Sequence, residues 1–213
     1  MEVREVREVE MTDAAELVVA AYRALEDSPP VDDDGYGAEL RAVARRARDA
    51  VVLVAVDAAV DAAIDAAGQG DGGGRGLARG NGRPSRSGSG SGGGVGGGGR
   101  AREMLVGCVT YVPDEHSPLG EDVRPGEASI RMLAVAPGVQ RRGVGRALVK
   151  ACIGRARAAG KDRLVLHSGA WMTAAHRLYD SLGFERLPER DWLPLPDVPL
   201  LAFALDLRDE VDR

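Results

Sequence analysis

One stretch limits the fold of this chain more than any other: MLAVAPGVQRRGVGRALVKACIGRARAAG, Met132 to Gly160. An apolar run stops at Pro137, which has no N–H to give a sheet ladder. Val144, Ala147, Leu148, Ala151 and Cys152 then recur at i, i+3, i+4, i+7 and i+8, the period of one helical face, and Gly160 supplies a stop. Strand, glycine-bearing loop and helix arrive in that order.

The loop between them predicts an anion site. Amides at the start of a helix have no intrahelical acceptor and carry partial positive charge. Gly143 and Gly145 remove β-carbons that would block approach, and Arg141, Arg142 and Arg146 add charge at the rim. A phosphate, and better a pyrophosphate, suits that combination. No Lys-Ser or Lys-Thr follows at P-loop spacing, and Leu148 stands where a dinucleotide-binding fingerprint needs its third glycine. A capped helix start with surface arginines is the alternative reading.

Before this unit, Val3 to Glu10 reads as a weak strand, and Asp13-x-x-Glu16 resembles a capping box that starts a helix running to about Leu25. Ala38 to Asp49 predicts a second helix with arginines on its outer face, and Val51 to Val56, Met104 to Val112 and Ala128 to Val135 read as strands. Beyond Gly160, Arg163 to His167 is a strand, Thr173 caps a helix whose Ala175, Leu178, Tyr179 and Leu182 share a face, and Phe184 to Leu187 and Leu200 to Leu207 close the pattern. The four prolines of LPERDWLPLPDVP predict an irregular surface excursion. The alternation predicts an α/β domain on a mixed sheet.

The segment from Gly68 to Arg100 contains 17 of the 29 glycines. So little apolar surface cannot offset the entropy of ordering, so 68–100 reads as a disordered Gly/Arg/Ser-rich insertion in one domain spanning 1–213. It joins two strands expected to be neighbours, where a hairpin turn would sit. The tract is net +4 inside a chain of net −5, leaving −9 elsewhere. That balance argues against a general nucleic-acid binder. Cys108 and Cys152 lack C-x-x-C spacing and read as buried thiols of a reducing compartment. The charged MEVREVREVE start has no apolar leader, and no run reaches membrane-span length, so a cytosolic protein without metal or membrane partner is expected.

The residues QRRGVGRA after MLAV resemble the Q/R-x-x-G-x-G/A pyrophosphate loop of the GNAT superfamily of acyl-CoA-dependent N-acyltransferases. TAAHRLYDSLGF resembles that family's A-x-x-L-Y-x-x-x-G-F signature, and the likeness is sharp from Glu127 to Phe184. The resemblance implies a mostly antiparallel sheet flanked by helices, whose fourth and fifth strands splay around acetyl-CoA. It implies that Leu133, Ala134 and Val135 pair with the pantetheine arm and that Gln140, Arg141, Arg142, Gly143, Val144, Gly145 and Arg146 hold the pyrophosphate. Tyr179 matches the tyrosine that protonates the departing thiolate. Met172 departs from the pattern, standing where many relatives have asparagine.

For the base, Glu127 is the nearest candidate, in phase with Ser129 and Arg131 on one strand face, against the reading of a solvated strand-end carboxylate. His116 is a second candidate, while His167 and His176 read as structural or exposed. Asp32, Asp33 and Asp34 fall where the family often walls its acceptor site, although a solvated charge run is the preferred reading. The expectation is transfer of an acetyl group to a primary amine of a small molecule or peptide by direct attack. A non-turnover acyl-CoA sensor and a scaffold with an RNA-binding Arg/Gly tract are the alternatives. An α-amine near pKa 8 is easier to deprotonate than a lysine near 10.4, by about 3 kcal/mol, which favours peptide N-termini. A homodimer is left open, and no motif names the amine.

Overall fold

The computed structural model describes residues 1–25, 31, 35–57, 103–120, 122–195 and 198–208. The tract 68–100 and Asp32 to Asp34 therefore lie outside the described residues. Eight strands form one sheet: β1 (Glu2–Glu5), β2 (Val51–Asp57), β3 (Met104–Val112), β4 (Glu127–Val135), β5 (Arg163–Gly169), β6 (Glu185–Arg186), β7 (Trp192–Leu195) and β8 (Val198–Asp206). Their order is β1-β2-β3-β4-β5-β8-β6, with β7 also on β8. The β4–β5 pair is parallel, and the other described pairings are antiparallel. This is the expected mixed, mostly antiparallel sheet, and β2 and β3, joined through the glycine-rich tract, are neighbours.

Helices α1 (Met11–Arg23), α2 (Tyr36–Arg41) and α3 (Val43–Asp49) precede β2. Helix α4 (Val144–Ala158) follows β4 and α5 (Thr173–Asp180) follows β5. Ala14, Val18 and Leu40 pack with Val52, Val54, Cys108 and Ala134 in one core cluster, so α1 to α3 cover one face of the sheet. On the other face a β-carbon at Gly107 would stand 2.7 Å from Val144 and 2.9 Å from Leu148, so glycine lets α4 sit directly on β3. Cys108 and Cys152 are both buried, and burial pushes each thiol up to about 12.

Several boundaries differ from expectation for local reasons. Val3 to Glu10 splits into β1 and a 3-10 turn at Glu8–Glu10, where the Glu10 carboxylate accepts from Arg4 at 2.6 Å and from the Arg7 amide at 2.9 Å. This acid opens α1, and Asp13 lies inside the first turn rather than capping it. The second helix breaks at Ala42 (ψ 39°) into α2 and α3, and Arg46, expected outside, is 1 % exposed. Its guanidinium donates to Thr110 Oγ1 at 3.1 Å and to the Leu40 carbonyl at 3.1 Å, which explains how a cation is accommodated there. Thr173 is the first residue of α5, Met172 being its cap. The proline-rich excursion contains a 3-10 turn at Pro188–Arg190 and the strand β7, which tolerates Pro194 because an edge strand need not donate on both sides.

Candidate functional site

The sheet opens where β4 and β5 part. Four pairs join them, from Glu127↔Arg163 to Ile130↔Leu166, and the pairing ends there. Past that point β4 carries a bulge: the register with β3 shifts between Cys108↔Ala134 and Thr110↔Arg131, and Met132 takes φ 52°. An extra residue bends its strand and raises the local twist, and a positive φ at a non-glycine residue is uncommon and strained. From Met132 to Val135, β4 has β3 on one side and, among the described residues, no paired strand on the other. Main-chain donors and acceptors facing such a gap suit an extended, amide-bearing ligand.

The loop leads from this gap to α4. Gln140, Arg141, Arg142 and Gly143 are exposed, with φ 63° at Arg141 and φ 84° at Gly143. The Ala147 amide donates to the Gly143 carbonyl at 3.0 Å, so the amides of Val144, Gly145 and Arg146 precede the first helical bond. A β-carbon at Gly143 would meet nothing within 4 Å, leaving that approach open. Gly145 also meets a packing demand. A β-carbon there would stand 3.2 Å from Leu178 and 3.6 Å from Val135, so this glycine serves helix packing. Arg141 and Arg142 have no acidic partner among the described residues, while Arg146 donates to Ser181 Oγ at 2.8 Å, tying α4 to the end of α5. Ser181 donates in turn to the Leu178 carbonyl at 2.7 Å.

Tyr179 is buried on α5, its ring 5.7 Å from Phe203 and 5.8 Å from Phe184. Burial, then the Cys152 sulfur, pushes its phenol well above the ordinary range, so it holds its proton at neutral pH. Across the sheet, Tyr22 shares a hydrogen bond with Tyr36 and lies close enough to Tyr179 to be affected by it. Met172 accepts from Ser168 Oγ at 3.6 Å, a packing contact in place of an amide.

The base candidates are separated from the gap. Both Glu127 oxygens accept from Arg190 at 2.9 Å, and one also accepts the Arg124 amide at 3.1 Å. Glu127 lies at the closed end of the β4–β5 pair, six residues or about 20 Å of strand from Leu133. A carboxylate so held anchors Arg190. His116 is an exposed loop residue beside Glu115. His167, expected to be structural or exposed, is half-buried at the first β5 position past the last β4 pair, with Nε2 3.1 Å from Asp122 Oδ2 and 3.1 Å from the Arg190 carbonyl. Arg190 and Asp122 had no sequence signal, because both come from irregular loops.

Two of the cavities among the described residues bear on where the site lies. The larger, about 770 Å3, is lined by Lys150, Arg157, Glu185 and Asp206 among others and touches neither the loop nor the gap. The smaller, about 280 Å3, is lined by Glu39, Arg45, Asp49, Pro118, Leu119 and Arg131, on the α1–α3 face. No described helix is long and apolar enough to cross a membrane, and no metal-binding cluster occurs among the described residues.

Known proteins share this fold. Residues 92–184 match the model of the Acetyltransferase (GNAT) family. A ribosomal protein bS18-alanine N-acetyltransferase of Haemophilus ducreyi is 38 % identical over 72 residues, 33 % of this chain and 50 % of that protein, so the match spans half of the curated relative. Among solved structures, a Salmonella typhimurium acetyltransferase candidate with its cofactor acetyl-CoA superposes with a TM-score of 0.56 at 16 % identity, covering 100 % of this chain and 97 % of that one. A ribosomal-protein-alanine N-acetyltransferase of Brucella melitensis gives 0.56 at 18 %, covering 97 % and 100 %. At such identities the likeness is one of fold.

Proposed function

We propose, taking the chain as a member of the GNAT acetyltransferase family, that it transfers an acetyl group from acetyl-CoA to a primary amine. The observation that carries this reading is the parting of β4 and β5 after Ile130↔Leu166, with the open helix start of α4 directly beyond it. The residues suit the cosubstrate: unpaired β4 edge at Leu133, Ala134 and Val135 for an amide-bearing arm, and the stretch from Gln140 to Arg146 for a pyrophosphate. Gly143 offers the open approach and Arg141 and Arg142 the uncommitted charge. Bound there, acetyl-CoA supplies a thioester whose acyl carbon takes the amine nitrogen. Tyr179, protonated by virtue of its burial, is the group assigned to give the sulfur its proton.

For the acceptor we propose the α-amine of a peptide. Relatives of this fold act on ribosomal protein alanine, and an α-amine needs less help to lose a proton than a lysine side chain. Thiol release from acetyl-CoA tests this, using an Ala-initiated peptide beside its N-blocked, lysine-bearing counterpart. Faster turnover of the free α-amine is expected. A clear lysine preference would remove the α-amine reading, and no turnover of either peptide or of small amines would remove the enzyme reading.

A further inference from the structure

The acyl-transfer reading lacks a proton acceptor once Glu127 is committed to Arg190, and the same network leads to one. Arg190 bridges Glu127 to Asp122, whose Oδ2 stands 3.1 Å from the guanidinium and whose carbonyl also accepts from it. The far end of this chain is His167. Its Nε2 faces the Asp122 carboxylate and the Arg190 carbonyl, each at 3.1 Å, and both are acceptors. Nε2 therefore carries the proton and Nδ1 the lone pair, which has no partner among the described residues.

Position agrees with chemistry. Arg131 on β4 and His167 on β5 are the first residues past the last β4–β5 pair, so they stand at the apex of the gap. His167 pairs with Ala202 and Leu166 with Phe203, and Phe203 packs on Tyr179. Successive strand residues point to opposite faces, so His167 and Tyr179 lie on opposite sides of the sheet. Arg131, which shares the His167 face, also lines the 280 Å3 cavity with Glu39, Arg45 and Asp49, Glu39 being ion-paired to Arg45.

We propose that His167, through Nδ1, accepts the proton of the incoming amine. The assignment rests on the acyl-transfer reading. One ammonium N–H bond breaks as an N–H bond forms on Nδ1. The freed nitrogen pair bonds to the acyl carbon, the C–S pair leaves with sulfur, and sulfur takes the Tyr179 proton. Tyr179 regains its proton from the acylated nitrogen, and His167 releases its own to solvent. Asp122 positions the ring and compensates the charge it gains. Burial lowers the His167 pKa against the opposing influence of the Arg190 carbonyl and Asp122, with Arg190 and Arg131 the cations facing it and Trp192 the neighbouring ring. The ring is therefore neutral, and able to accept, at pH 7.

His167→Gln is the clean variant, because its side-chain amide retains a donor where Nε2–H stands and has no base. With acetyl-CoA and an Ala-initiated peptide, kcat/KM should fall about 10²–10⁴-fold, whereas with hydroxylamine, neutral at pH 7, the loss should be less than about tenfold. Melting temperature and CoA affinity should hold. Asp122→Asn, at a half-exposed side chain, should shift the acid limb of kcat for the peptide to lower pH, because it removes the charge that favours the imidazolium. Equal losses on both acceptors, no loss at all, or an unmoved limb in Asp122→Asn would overturn the assignment while leaving the acetyltransferase reading intact. An inert wild type that still binds CoA would overturn both.

Discussion

At the scale of single residues, the two acidic side chains that sequence phase and family likeness bring forward have opposite fates. Tyr179 is held protonated by burial, so Tyr179→Phe should lower kcat about 10²–10⁴-fold with little change in CoA affinity, measured by steady-state thiol release beside calorimetry. Because its pKa is raised, no alkaline loss of activity from Tyr179 is expected below about pH 10. Glu127→Gln should act mainly on stability, for it removes the buried one of the two carboxylates that balance the Arg190 guanidinium, leaving only the half-exposed Asp122. Breaking a buried pair costs about 3–5 kcal/mol, which for a chain of this size lowers the melting temperature by roughly 6–20 °C. CoA affinity should hold, and an unchanged melt would contradict the anchoring role.

At the scale of elements, the periodic segments were readable and the loop-borne partners were not. The α4 stripe of Val144, Leu148 and Cys152 is buried as its spacing predicts, and β3 has the predicted bounds of Met104 and Val112. Helix α1 starts on Glu10 because the Arg4 ion pair outweighs a local Asp-x-x-Glu pattern. The Glu10 carboxyl is lowered to about 2 by Arg4, with the Arg7 amide assisting against burial, so its contribution is present above its ordinary value of 4.5 and is lost as pH falls towards 2. Glu10→Gln should flatten the pH dependence of melting across that window at a cost of about 1 kcal/mol at pH 7. The base candidate failed to be legible for a physical reason: Arg190 and Asp122 are brought to His167 only by the docking of two irregular loops. Gly145 illustrates the same limit, since its need for close approach to Leu178 arises from α5, 33 residues away in sequence. Gly145→Ala should therefore change stability by less than about 1 kcal/mol, read from a denaturant melt, because the gain in helix propensity offsets the small displacement asked of the Leu178 side chain.

At the scale of the whole molecule, the sheet works as a scaffold with one break in it. The bulge at Met132 and the end of pairing at Ile130↔Leu166 expose β4 main chain at the point where α4 presents its first amides. Replacing Gly68–Arg100 by a short turn should preserve melting temperature and acetyl transfer, because the tract joins adjacent strands and a shorter loop costs less closure entropy. Loss of activity in a folded variant would place the tract in the acceptor site. The central claim, that the gap and the loop beyond it hold acyl-CoA, is tested most directly by calorimetric titration of acetyl-CoA into wild type and Gly143→Glu. The substitution puts a side chain and a negative charge into space now open beside the helix start. The loss of even one charge-assisted hydrogen bond costs about 1.5–3 kcal/mol, so affinity should fall ten- to hundredfold or more in a variant that still melts cooperatively. Unchanged affinity in that folded variant would contradict the account.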